Sequence, residues 1–541
     1  MPYRFAITIA GAVSLGSFEA GVLFEVLDAF AQHNQASPPA SRIYIDVLTG
    51  ASAGGMTAAI TAQTMLYSWP AVTDPYDNPF YNAWIAGVDV NGLLPLAKDE
   101  SAGMSILSSD FVQGVAENFL LGRYNESPLP PPTPHPALNA GGTISLGLAL
   151  SNLNGVDYQR TLLSGGPFNY TKFQDQIAFQ LSGASDMAAD WTPIMNAAVA
   201  CGAFPFAFRP RDLSRKKTEY DQTFLAAWSK SPRNFAYTDG GVFQNQPIGM
   251  AKNLVDAIDD HQNSETRSYL FVSPHPIDPT VCGITSNTAV FTMMMGALIN
   301  AVFNQAGFQD WIEAEFVNAT VDLLNRRATQ LADLLKTGAV NVPALQGATG
   351  LLLPQLLPDQ GQLNAARTQL RDQFSSDYAK LSSSNGTPTA VAWVDAILLL
   401  ELAADLHEKD EMYIYSIVAE RNDLAGAGLF SFLGFLDRSF RDHDYDVGRQ
   451  SAQSFLRNIQ SISNNKLPTL IYAPKPIRPI QPTPPGGFTP AQIPQHNREQ
   501  VCSAVAAAAD NALAQLGISL IKRKLIMTFF LNGKIKKMLG C

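Results

Sequence analysis

The sequence predicts an α/β fold, and three observations carry that reading. Residues 5–10 form an apolar run that ends in a glycine-rich turn and leads into an apolar helical stretch over 18–30. Residues 43–48 repeat the pattern: a β-branched run, then Thr49-Gly50-Ala51-Ser52-Ala53-Gly54-Gly55, then a helical stretch over 56–66. Strand, turn and helix in succession are the grammar of a sheet covered by helices. The composition agrees. Of 541 residues, 46% are hydrophobic and only 16% charged, as expected of a large buried interior and not of a disordered chain.

Further along, residues 143–150 and 268–273 read as additional strands, and 128–136 as a proline-rich loop. From about 288 to 410 the pattern is mainly helical and rich in Leu, Ala and Gln. Residues 412–420 read as a late strand. Prolines 474, 476, 479, 482, 484 and 485 crowd the stretch 467–494 and predict an extended linker or surface arm. The expected organisation is a catalytic domain over 1–465, with its core at about 1–285, a mainly helical insertion at about 286–410 and a late strand and loop at 411–465. A proline-rich arm at 466–500 and a helical tail at 501–541 follow.

The net charge of −10, from 47 acids against 37 bases, argues against nucleic acid as a partner. Cys201, Cys282, Cys502 and Cys541 show no CxxC spacing, so neither a disulfide framework nor a structural zinc site is expected. The apolar start carries one arginine and meets Glu19 soon after, so it reads as a first strand and not a signal peptide. No uncharged apolar run reaches the length of a transmembrane helix. The expected location is cytoplasmic, with possible attachment at a membrane. The stretch 517–541 supplies the reason: Lys522, Arg523, Lys524, Lys534, Lys536 and Lys537 alternate with Leu525, Ile526, Met527, Phe529, Phe530 and Leu531, without an acid. Such a segment suits an anionic membrane surface, and equally a C-terminal helix packed on the core.

Three elements bear chemistry. Gly50-Ala51-Ser52-Ala53-Gly54 fits G-x-S-x-G, in which a serine projects from a sharp strand-to-helix turn between small neighbours. The helix N-terminus behind it offers N–H groups to a developing oxyanion. Asp239, in Tyr237-Thr238-Asp239-Gly240-Gly241-Val242, stands at a strand end before two glycines. It is either a turn former or a group facing the serine across the strand ends. Gly11-Ala12-Val13-Ser14-Leu15-Gly16 is a turn able to donate consecutive backbone N–H groups to an anion. It lacks a P-loop lysine and is not G-x-G-x-x-G, so a nucleotide is not expected. Histidine is scarce, and His275, after the 268–273 strand, is the one placed where a conventional triad base would stand.

In this order the elements resemble the patatin-like phospholipases. The likeness extends over residues 46–55, over Ala198-Val199-Ala200-Cys201-Gly202-Ala203-Phe204-Pro205-Phe206-Ala207-Phe208-Arg209-Pro210, and over Asp239-Gly240-Gly241-Val242-Phe243-Gln244-Asn245-Gln246-Pro247. Residues 432–449 look like a segment of larger patatin-related proteins. The resemblance implies a three-layer α/β/α fold with a mainly parallel sheet, a helical insertion and a C-terminal extension. It also implies a Ser–Asp dyad with Ser52 as nucleophile and Asp239 as base, and backbone N–H groups of Gly11, Ala12 and Val13 as the oxyanion hole. No metal or other cofactor is implied. The partner would be membrane phospholipid, cleaved at an acyl ester. One departure stands out. The family's turn is usually G-G-G-x-[KR]-G, whereas Ala12, Val13 and Leu15 stand here, and a β-branched residue such as Val13 disfavours positive φ. Two other functions share these residues: an esterase or acyltransferase on smaller acyl esters, with His275 in a triad, and a non-catalytic lipid-binding or scaffold protein.

Overall fold

A computed structural model describes residues 2–68, 72–139, 141–161, 166–220, 225, 226, 228, 230–259, 267–275, 291–404, 412–420, 423–484, 487–527, 533, 535, 536, 540 and 541. The chain divides into two compact units. The first comprises Met1–Val255, Thr266–Asp310 and Ile414–Cys541, and the second Asp256–Glu265 and Trp311–Tyr413.

The first unit is organised by an eight-stranded sheet. Its strands are β1 (Tyr3–Ile9), β2 (Ile43–Gly50), β3 (Thr143–Thr161), β4 (Pro167–Ser182), β5 (Arg211–Arg215), β6 (Arg233–Asp239), β7 (Arg267–Ser273) and β8 (Ile414–Val418). The order is β5-β6-β3-β2-β1-β7-β8, with β4 paired to β3. From β3 to β8 the pairings are parallel, and the strands there are those expected from apolar runs. Strands buried on both faces need no polar alternation, which is why they read as continuous apolar segments. The other flank is antiparallel, and β4 and β5 carry no apolar run that would mark them in the sequence. In β4 most side chains meet solvent, and β5 reads Arg-Asp-Leu-Ser-Arg.

Helices α1 (Gly16–Ala36) and α2 (Ala53–Tyr67) follow β1 and β2 and are buried along most of their length. The helix Arg438–Ile462 crosses α1. Between them lies an ion pair with both side chains fully buried: Arg449 donates to Glu25 at 2.7 Å. Gln453 donates to the same carboxylate oxygen at 3.1 Å. The proline-rich stretch has no regular secondary structure over the described part of 467–489. It runs against α1 and the helix Arg438–Ile462: the Ala473 N–H donates to Gln32, Lys475 donates to Asp28, and Gln453 donates to the Lys475 carbonyl. Pro485 lies outside the described residues, as do Phe529, Phe530, Leu531, Lys534 and Lys537 of the tail.

Cys502, on the helix Gln495–Gln515, and Cys541 form a single disulfide, a pairing that the cysteine spacing did not indicate. The tail folds back until the two Cα atoms are 6.8 Å apart, a tertiary event without a local signature.

The second unit is helical among its described residues. The later part of the helix Phe291–Lys336 is followed by Val342–Leu356, Gln360–Gln373, Ser375–Asn385 and Thr387–Ala403. These enclose a core of their own around Trp393, whose indole N–H donates to the Ala328 carbonyl at 2.8 Å.

Removing one partner of a buried ion pair strands the other charge and costs about 3–5 kcal/mol. Arg449→Ala is therefore expected to lower unfolding stability by about that amount. Lys380→Ala, which breaks the exposed pair with Asp377, is expected to change it by less than about 0.5 kcal/mol. Urea titrations of the two variants against the wild type test this contrast.

Candidate active site

Ser52 is the turn between β2 and α2. Its φ of 52° and ψ of −128° are unusual for a residue with a side chain and cost about 1–3 kcal/mol. The neighbours must be small for the turn to close. A Cβ on Gly50 would lie 2.3 Å from the Gly54 carbonyl oxygen, and one on Gly54 would lie 2.3 Å from that of Ala10. The Ala51 N–H donates to the Ile9 carbonyl at 3.2 Å and ties the turn to the end of β1. The hydroxyl thus stands at the N-terminus of α2, where the helix dipole favours negative charge.

Asp239 ends β6, two strands from β2 with β3 between them. Gly50 pairs with Leu148 and Asp239 with Leu150, so one stretch of β3 sets both positions. Two further anchors fix the end of β6. The Asp239 N–H and the Thr238 hydroxyl both donate to the Ala203 carbonyl, at 2.9 and 2.8 Å. Tyr237 donates to Asp175 at 2.8 Å and accepts from Arg215 at 3.0 Å.

The two groups meet. Ser52 Oγ donates to Asp239 Oδ2 at 2.5 Å, while Oδ1 accepts the Gly241 N–H at 2.7 Å. Asp239 is fully buried and Ser52 is 5% exposed. Burial pushes the Asp239 carboxyl up to about 7, against the opposing pull of the hydrogen bonds from Ser52 and Gly241. Among the described residues no hydrogen bond joins His275 to the serine. It is linked to Ser273 through its own backbone, and the Ser52 hydroxyl is taken by Asp239.

The Gly11–Val13 turn lies against the nucleophile, with Gly11 so close that a Cβ there would sit 3.1 Å from Ser52 Cβ. Its members are not equivalent. The Gly11 N–H donates to the Asn245 carbonyl at 2.9 Å, whereas the resemblance implied a role for it as an oxyanion donor. Val13 adopts φ 53° despite its β-branch and lines the same cavity as Ser52 and Ala53. Asn245 lies six residues after Asp239, with no local signal of its own. It is the residue that holds the turn, and its side-chain amide also donates to the Gly11 carbonyl at 3.4 Å.

Ser52 opens into a cavity of about 70 Å³. Apart from Ser52 its walls are apolar, among them Met56, Trp84, Phe119, Phe204, Phe208 and Phe435. No sequence signal pointed to Trp84 or Phe119, because both reach the cavity only through tertiary packing. Among the described residues no group of three or more His, Cys, Asp or Glu side chains is gathered as metal ligands would be.

Residues 7–252 match the family model described as patatin-like phospholipase. The chain is also similar to an uncharacterized protein of Sinorhizobium fredii, 23% identical over 546 residues. That match covers 86% of this chain and 65% of the relative, so the chain spans about two thirds of the relative's length.

The raised carboxyl has a consequence for folding. A folded-state value of about 7 against about 3.9 for a free aspartate means that the folded protein holds this proton more tightly. Its contribution to stability is full below about pH 4 and is lost as pH rises through about 7, a change of up to about 4 kcal/mol. Asp239→Asn is expected to remove that part of the pH dependence, as read from urea unfolding between pH 4 and 8.

Proposed function

We propose, from the premise that residues 7–252 make this chain a member of the patatin-like phospholipase family, that it is a lipid acyl hydrolase working through a Ser52–Asp239 dyad. The observation that carries this reading is the 2.5 Å hydrogen bond from the Ser52 hydroxyl to a fully buried carboxylate, at the end of an apolar cavity. Ser52 attacks the ester carbonyl while Asp239 accepts its proton. The elevated value of about 7 makes this carboxylate a competent base near neutrality, which a solvated aspartate is not. The tetrahedral oxyanion is met by N–H groups of Ala12, Val13 and the first turn of α2, with Gly11 acting as the anchor of that turn. The alcohol leaves with the proton held by Asp239. Water, activated by the same carboxylate, then releases the fatty acid.

The apolar walls suit an acyl chain, and two exposed features suit a lipid surface. Phe206 stands between the cavity residues Phe204 and Phe208, yet it is 74% exposed and held at φ 68°. On the tail, the helix Leu520–Ile526 exposes Leu520, Ile521 and Leu525 beside Lys522 and Lys524. No helix among the described residues is long and apolar enough to cross a membrane, so membrane contact would be peripheral.

Fatty acid release from mixed phospholipid vesicles, with chelator present, tests the dyad. Ser52→Ala and Asp239→Ala are each expected to lose about 10³-fold or more in kcat, whereas His275→Ala retains wild-type activity. Equal release by wild type and Ser52→Ala would sink the assignment. Activity is expected to rise with pH through about 7, because the base must be ionised, which is the opposite sign to its effect on stability. Phe206→Ser is expected to lower hydrolysis of vesicles severalfold and to leave a soluble short-chain ester unaffected.

A further inference from the structure

Val13 is strained and flanked by two anchors of different origin. On its N-terminal side Gly11 is held by Asn245, within the family match. On its C-terminal side Ser14 is held by a segment more than 400 residues away, outside that match. The fully buried Ser14 hydroxyl donates to the Ser431 carbonyl at 2.5 Å and accepts the Gly434 N–H at 3.1 Å. The loop that supplies these partners is fastened in turn. The fully buried Asp444 carboxylate accepts the N–H groups of Ala425 and Gly426 at 2.6 and 2.9 Å. Arg441, 2% exposed, donates to the carbonyls of Gly434 at 2.7 Å, Phe435 at 3.4 Å and Ile85 at 3.1 Å. The packing leaves no room for substitution: a Cβ on Gly434 would lie 2.6 Å from Ser14 Oγ, and one on Gly426 would lie 2.7 Å from Asp444 Oδ2. The same segment brings Phe435 to the cavity wall and packs Phe432 edge-on against Phe204 at 5.2 Å.

We infer that residues 425–449 are an integral part of the active site, with Ser14 and Arg441 as positioning residues: Ser14 fixes Val13 for the oxyanion, and Arg441 fixes Phe435 for the acyl chain. This rests on the reading of Ser52 as nucleophile. The two roles separate in kinetics. A misplaced oxyanion donor slows the chemical step, since losing one such donor costs about 10²–10³ in rate in a comparable hydrolase. A displaced cavity wall weakens binding of a long chain while leaving a short one unaffected.

The test uses the full chain with three variants: Ser14→Ala, Arg441→Lys, which keeps the charge without the planar fork, and Ser52→Ala. Hydrolysis of short-chain and long-chain esters is measured with fluorophosphonate labelling, melting temperature and deuterium exchange of the peptide over 11–16. Ser14→Ala is expected to lower kcat and labelling rate about 10-fold or more on both esters with KM within twofold, and to speed exchange over 11–16. Arg441→Lys is expected to raise KM severalfold for the long ester alone. Unchanged kcat and exchange in a folded Ser14→Ala protein would overturn the role of Ser14. Equal KM changes on both esters would overturn that of Arg441. If the wild type neither hydrolyses nor labels, the nucleophile reading fails on its own account. Exchange over 11–16 then still decides the clamp: faster exchange in Ser14→Ala supports it, and unchanged exchange overturns it.

Discussion

The site depends on one backbone constraint: the chain must reverse within a few residues at Ser52, from the end of β2 into α2, at a positive φ. That turn is unfavourable by itself and persists because its surroundings leave no alternative. Gly50 and Gly54 face carbonyl oxygens at distances that no side chain tolerates, and the Ala51 N–H is bonded to the end of β1. Buried strands on either side supply the rigidity. The strain exposes the hydroxyl at a helix N-terminus and aims it at the neighbouring strand ends.

Asp239 shows the opposing demands on such a site. Full burial withholds water from the carboxylate and raises its proton affinity toward neutrality. The same desolvation makes the ionised form a burden on the fold at that pH. The cost is borne by a well-anchored strand end, in which Ala203, Tyr237, Asp175 and Arg215 all take part.

Residues Ile414–Cys541, about the last quarter of the chain, also belong to this unit. The helix Arg438–Ile462 covers α1, the proline-rich stretch lies along both, and the 425–434 loop reaches the glycine-rich turn. A low proportion of charged residues fits this arrangement, since α1 is buried from the sheet side and from the side of the helix that crosses it.

The sequence by itself determined what is local. Strand, tight turn and helix follow one another along the chain, so the elbow at Ser52, the turn at Gly11–Gly16 and the parallel strands were legible from small residues and apolar runs. Asp239 was legible as a strand-end aspartate before two glycines, though a turn former reads identically. What only the tertiary structure decided is what depends on distant pairing. On the antiparallel flank, β4 and β5 have solvent-facing positions and no continuous apolar run, so neither these strands nor the register that sets Asp239 beside Ser52 left a pattern in the sequence. The commitment of the Gly11 N–H to Asn245, the Cys502–Cys541 pair and the hold of Ser431 and Gly434 on Ser14 were equally unreadable. A hydrogen bond across 417 residues imposes no periodicity on either partner, and the fold alone brings the two together.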